Sequence, residues 1–132
     1  MEIYTENLQL PDVRLNIRHF INAKNGAKKI FFLHGWMDAS PSWQFVVNAL
    51  QKKYHIIAPD WRGFGDSEWL DRVYHFRCHI ADLHAILNAY SPDAPALLVG
   101  HSMGGMIACT YSGLFPERVA RVMTLEGFGL SQ

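Results

Sequence analysis

Ser102 stands in the run Gly100-His101-Ser102-Met103-Gly104. A serine hydroxyl adds to a carbonyl carbon when it is held clear of its surroundings and a base takes its proton. The residues around Ser102 suit the first requirement. Ala96-Leu97-Leu98-Val99 precedes it as an apolar run of strand type, and Met103 to Phe115 follows as a helical segment closed by Pro116. A strand that turns at once into a helix forces the residue at the junction into a strained backbone and crowds positions two residues away on each side. Gly100 and Gly104 remove that clash, and Gly105 adds room. The helix starting at Met103 directs its free N–H groups toward the serine oxygen, where they would stabilise an oxyanion. A harmless capping serine on a glycine-rich turn has the same five residues, but it does not require a strand before them and a helix after them.

The base is harder to find. The seven histidines are His19, His34, His55, His75, His79, His84 and His101, and all precede Ser102. His101 adjoins the serine, but side chains diverge at such a turn, so it is expected to pack or hydrogen-bond behind it. His75 and His79 have i,i+4 spacing, yet no carboxylate or cysteine completes a metal site, so they read as a solvated helix face. No metal or cofactor is implied. Gly127-Phe128-Gly129 lacks the third glycine and the following helix of a dinucleotide fingerprint, and reads instead as a hinge.

The elements that must hold Ser102 follow from the apolar patterning. Glu2–Leu10 and Val13–Phe20 read as strands, the second from its period-two alternation. Asn22–Lys29 is a polar turn around Asn25-Gly26. Ile30–Leu33 is a short apolar run stopped by glycine and reads as a strand buried on both faces, and Tyr54–Ala58, Ala96–Val99 and Val119–Leu125 read as further strands. Ser42–Lys52 has helical spacing, with Phe45, Val46, Ala49 and Leu50 on its apolar side and Ser40 or Ser42 as caps. Phe76, Ile80, Leu83, Leu87 and Tyr90 form the clearest helical stripe. Strands and helices alternate from residue 30, so the expected fold class is α/β, a mostly parallel sheet with helices on both faces, in one domain over residues 1–132.

Composition narrows the setting. Lysine plus arginine and aspartate plus glutamate number 12 each, and apolar residues make up 49%. A neutral chain without a basic block gives no electrostatic reason to expect nucleic acid. No apolar run approaches the roughly 20 residues needed to span a bilayer. The N-terminus lacks a signal-peptide pattern. Cys78 and Cys109 are too few for a disulfide framework, so the cytoplasm is the expected compartment.

Three segments together resemble the α/β-hydrolase superfamily, from about residue 12 to the end: His34-Gly35-Trp36-Met37-Asp38, the loop Asp60-Trp61-Arg62-Gly63-Phe64-Gly65-Asp66-Ser67, and the turn at Ser102. The resemblance implies that the backbone N–H groups of Trp36 and Met103 form the oxyanion hole. It also implies that His34, Gly35, Asp60 and Arg62 are scaffold beneath the site, with Gly100 and Gly104 shaping the turn. Epoxide hydrolases and haloalkane dehalogenases resemble the chain in the Trp/Arg/Gly loop and in Pro116-Glu117-Arg118-Val119, but carry aspartate as nucleophile. Serine points to the esterase- and lipase-like branch. In the superfamily the order is serine, acid, histidine, and the histidine follows the eighth strand, whereas this sequence stops at Gln132, just beyond the sixth. Glu126, at the end of that strand, is a candidate for the acid; otherwise it shapes the pocket or orders a lid.

The resulting expectation is a serine hydrolase acting on small apolar ester-type substrates through an acyl-enzyme on Ser102, with Trp36, Met37, Trp61 and Met103 favouring an apolar group. Lacking the late histidine, the chain is expected to be inactive by itself. Its sixth strand would present an unpaired edge to a complementing C-terminal segment. The alternatives are a non-catalytic binding or complementation fragment, or an incomplete gene product.

Overall fold

The computed structural model describes residues 1–22, 26–50 and 53–126. Six strands form one sheet: β1 (Glu2–Gln9), β2 (Arg14–Ile21), β3 (Lys29–Leu33), β4 (His55–Pro59), β5 (Ala96–His101) and β6 (Val119–Leu125). Their order across the sheet is β1-β2-β4-β3-β5-β6. β1 and β2 run antiparallel to their neighbours, while the β4-β3, β3-β5 and β5-β6 pairs are parallel. Three α-helices connect the parallel strands, α1 (Gln44–Ala49), α2 (Phe76–Tyr90) and α3 (Met103–Leu114). The architecture is therefore the α/β class that the patterning predicts.

Alternate residues of the central strands feed two cores, as the period of two requires. Phe31, Leu33, Ile57 and Leu98 face Leu83, Ile86 and Leu87 of α2 and Ile107, Ala108 and Tyr111 of α3. Phe32, Ile56 and Ala58 face the other way, toward Trp43 and Val47. Both faces of the sheet are thus covered, which is why these short strands are apolar throughout.

The first helical segment departs from expectation. It opens as a 3-10 turn over Ser40–Trp43 with Pro41 in its first turn, and only then becomes α1. The tighter 3-10 winding rotates the following residues, so the predicted apolar side (Phe45, Val46, Ala49) is exposed, and Trp43 and Val47 are buried instead. Trp43 packs edge-on against Phe32, with ring centroids 4.8 Å apart. Neither Ser40 nor Ser42 caps with its side chain: Ala39 is the N-cap residue, Ser40 Oγ accepts from Arg18 Nε, and Ser42 Oγ donates to Asp38. The centre of the Asn25-Gly26 turn, the end of the segment predicted to reach Lys52, and the Gly127-Phe128-Gly129 hinge lie outside the described residues.

Sheet order decides where a site can form. From β3 the chain crosses to β4 on one side, and from β4 it returns past β3 to β5 on the other. The carboxyl ends of β3 and β5 are neighbours, with Leu33 opposite Gly100. This is the point where strand order reverses and a crevice opens in a parallel sheet.

Candidate active site

Ser102 sits at that crevice, between the last residue of β5 and the first of α3. Its backbone has φ 51° and ψ −117°, outside the ordinary regions for an L-residue. Such a conformation costs on the order of 1–3 kcal/mol and persists only where its surroundings impose it. Ser102 N–H donates to Leu125 O of β6 at 3.1 Å, and Ser102 O accepts from Met106 N–H at 3.1 Å. The turn is also packed too closely for side chains at its glycines. A Cβ on Gly100 would lie 2.5 Å from the Gly104 carbonyl and the Gly105 nitrogen, and one on Gly104 only 2.1 Å from Leu33 O.

The turn after β3 abuts the same serine. A Cβ at Gly35 would stand 3.2 Å from Ser102 Cβ and 3.1 Å from His101 Nδ1. Trp36, the next residue, and Met103, the residue after Ser102, line one cavity beside this contact. Among the described residues, neither the Trp36 nor the Met103 backbone N–H donates to a protein acceptor. Two uncommitted amide donors therefore border one strained serine.

Beneath them is a buried polar frame. His34 is fully buried and uses both ring nitrogens: Nδ1–H donates to Gly35 O at 2.7 Å, and Nε2 accepts the Trp61 N–H at 3.0 Å. The Trp61 indole N–H donates back to His34 O at 2.9 Å. Burial holds the His34 pKa below the usual histidine range. The Asp60 carboxylate accepts from Ser40 N–H at 2.6 Å, Asn16 Nδ2 at 3.0 Å and Asp66 N–H at 3.0 Å, tying β2 and two loops together. Arg62, 4% exposed, makes a two-pronged pair with Asp82 of α2, both bonds at 2.7 Å, and reaches Asp12 at 3.0 Å. The Asp82 hydrogen bonds, with those of Asp12, raise the Arg62 pKa and keep it charged.

Two side chains, Trp61 and His79, fall elsewhere than the residue pattern suggests. Trp61 is fully buried and belongs to the core under His34, so it offers no surface to a substrate, whereas Trp36 and Met37 are exposed. His79 is not on a solvated face; it is 4% exposed and packs edge-on against Trp61 at 5.6 Å, while His75 is exposed. His101 turns away from the α2 side and lines a recess of about 230 Å³ with Asp38, Trp43 and Val46. Its Nε2 is 3.8 Å from a carboxylate oxygen of Glu126, a residue with φ 53° and a largely exposed side chain. Residue patterning missed Asp12, Asp82 and His79. A charged and an aromatic polar residue among Ile80, Leu83 and Leu87 was the available signal for the last two.

A family model described as the alpha/beta hydrolase fold matches residues 28–131. Epoxide hydrolase 4 of Mus musculus is 27% identical over 121 residues, covering 90% of this chain and 33% of that protein. The cis-3-alkyl-4-alkyloxetan-2-one decarboxylase of Shewanella oneidensis is 34% identical over 118 residues, covering 84% of this chain and 36% of that one. Among solved structures, a thioesterase domain from the curacin biosynthetic pathway superposes with a TM-score of 0.85 at 24% identity, over 95% of this chain and 46% of that one. The chain thus spans about a third of the length of these curated relatives. With the sheet order, the turn at Ser102 and the matched residues in agreement, the chain belongs to the α/β-hydrolase fold family.

Proposed function

We propose that these residues form the nucleophile and oxyanion half of a serine hydrolase that cleaves small, apolar ester-type substrates through an acyl-enzyme on Ser102. The observation that carries this reading is the strained Ser102 flanked by two uncommitted backbone donors. Ser102 Oγ attacks the carbonyl carbon, and the carbonyl oxygen becomes an oxyanion held by the Trp36 and Met103 N–H groups. Collapse expels the alcohol and leaves an acyl-serine, which water then hydrolyses. His34, Gly35, Asp60, Arg62, Gly100 and Gly104 act by holding these groups in place. Glu126, at the end of β6, is the proposed acid partner of a base.

Five of the seven histidines of this sequence are engaged elsewhere or turned away, and the family resemblance puts the base after the eighth strand. His34 has committed both nitrogens, His84 Nδ1 bonds the Tyr111 hydroxyl at 2.8 Å, and His19 and His55 bond each other. His101 faces away from the α2 side of the turn. The proposal therefore places the base in a C-terminal segment that adds to the β6 edge, where Met123 is 59% exposed. The named epoxide-hydrolase relatives raise a second chemistry, but serine attack on an epoxide leaves an ether that water does not cleave. The cytoplasm is the proposed compartment, which the free Cys78 and Cys109 support. Among the described residues, no helix is long and apolar enough to cross a membrane.

The test is hydrolysis of p-nitrophenyl butyrate. The 132-residue chain is expected to show negligible turnover, and a natural longer form is expected to show turnover that Ser102→Ala abolishes. Turnover by the longer form that survives Ser102→Ala would overturn the acyl-enzyme reading. Ser102-dependent turnover by the 132-residue chain would reveal a base within it.

A further inference from the structure

A cavity of about 310 Å³ opens beside the two amide donors, lined by Trp36, Tyr74, Phe76, His79 and Met103. At roughly 30 Å³ per water-sized group it accommodates about ten non-hydrogen atoms. Its walls are mostly aromatic and apolar. The Tyr74 hydroxyl is already committed, donating to Leu70 O at 3.0 Å and accepting from Leu70 N–H at 2.6 Å. His79 differs: it is 4% exposed, its Nδ1 is enclosed by protein without a hydrogen-bond partner, and Nε2, the nitrogen left to face the cavity, has none among the described residues. A ring this deeply buried whose open nitrogen has no protein partner leaves that nitrogen to a ligand in the cavity. The ring is also held in place, edge-on to the buried Trp61, whose indole is fixed to His34 O.

We propose that His79 is a specificity-determining residue of this cavity, which selects carbonyl substrates whose inserted chain ends in a hydroxyl group. The inference rests on the reading that Trp36 and Met103 flank the reacting carbonyl. Burial, reinforced by the Arg62 charge and by His34, pushes the His79 pKa down to about 4. At neutral pH the ring is therefore uncharged, with one nitrogen donating and the other accepting. A hydroxyl can meet Nε2, as donor or acceptor according to the tautomer, whereas an alkyl chain leaves that nitrogen unmet. Pinning of the ring by Trp61 means that little side-chain entropy is lost when that bond forms.

The probes are 6-hydroxyhexanamide and hexanamide, which water leaves intact, titrated into the 132-residue chain at pH 7 while the His79 imidazole ¹⁵N shifts are followed. The hydroxylated amide is expected to bind about fivefold more tightly, the worth of one neutral hydrogen bond, and to move the His79 resonances. His79→Gln, which keeps a donor and an acceptor, is expected to retain the preference, and His79→Phe to abolish it. Equal affinities in the unsubstituted chain, or a preference that persists in His79→Phe, would overturn the proposal. Ser102→Ala is expected to leave the ratio unchanged. Failure of acyl transfer at Ser102 is read separately, by labelling of that serine, and does not alter the ratio.

Discussion

Replacing Gly104 by alanine tests how tightly the turn is built. The new Cβ would lie 2.1 Å from Leu33 O, 2.6 Å from Leu33 C and 2.7 Å from His34 O. All three are backbone atoms of β3 or its turn, so no rotamer change relieves the contact. Restoring an ordinary separation of 3.4 Å requires α3 to move off β3 by about 1.3 Å, the difference between those two distances. Overpacking of this kind costs about 1–3 kcal/mol, and a backbone-to-backbone clash belongs at the upper end. With a urea slope near 1.5 kcal/mol per molar, about 3 kcal/mol lowers the unfolding midpoint by roughly 2 M. Gly113→Ala in the same helix is the control, because a Cβ there meets nothing within 4 Å. It should raise stability by up to about 1 kcal/mol through helix propensity. Urea unfolding followed by tryptophan fluorescence reads both. A Gly104→Ala midpoint within about 0.3 M of the parent would refute the packing argument.

Two further outcomes are expected. Asp82→Ala leaves Arg62 buried with only Asp12 as partner and should cost about 3–5 kcal/mol, whereas Arg62→Met combined with Asp82→Leu should recover most of that loss; urea midpoints of the three chains decide it. Stability should also fall as pH drops, because burial lowers the pKa of His19, His34, His55 and His79 in the folded state. Below an unfolded value of about 6.5 the unfolded chain binds protons that the folded chain does not. His79, at about 4, accounts for at most about 3 kcal/mol, fully present above about pH 6.5 and lost by about pH 4. Unfolding midpoints between pH 7.5 and 4.5 should therefore decline, less steeply in His79→Phe, and a flat profile would contradict the assignment.

The parts legible in the sequence were those that depend on neighbours in the chain. Short apolar runs located the parallel strands, and a glycine two residues to each side of Ser102 located the strained turn. Helical spacing located α2 to the residue, because Ile80, Leu83 and Leu87 all face the core. Patterning failed where partners are distant. Arg62 meets Asp82 across 20 residues and Asp12 across 50, and only the folded sheet brings them together. Spacing with His75 puts His79 on a solvated face, because it describes one helix alone and nothing local places Trp61 against it. α-Helical spacing counted from Ser42, one residue before the 3-10 turn ends, points Phe45 and Val46 inward, and the 3-10 winding turns them out. The crevice itself follows from strand order, which short apolar runs do not encode.

The central claim is that Ser102 is a nucleophile held before two amide donors. Intact-mass spectrometry of the 132-residue chain after prolonged incubation with a fluorophosphonate, followed by peptide mapping, tests it most directly. Slow addition of one equivalent, confined to Ser102 and absent in Ser102→Ala, is expected. An adduct on another residue, or none after exhaustive incubation, would contradict it.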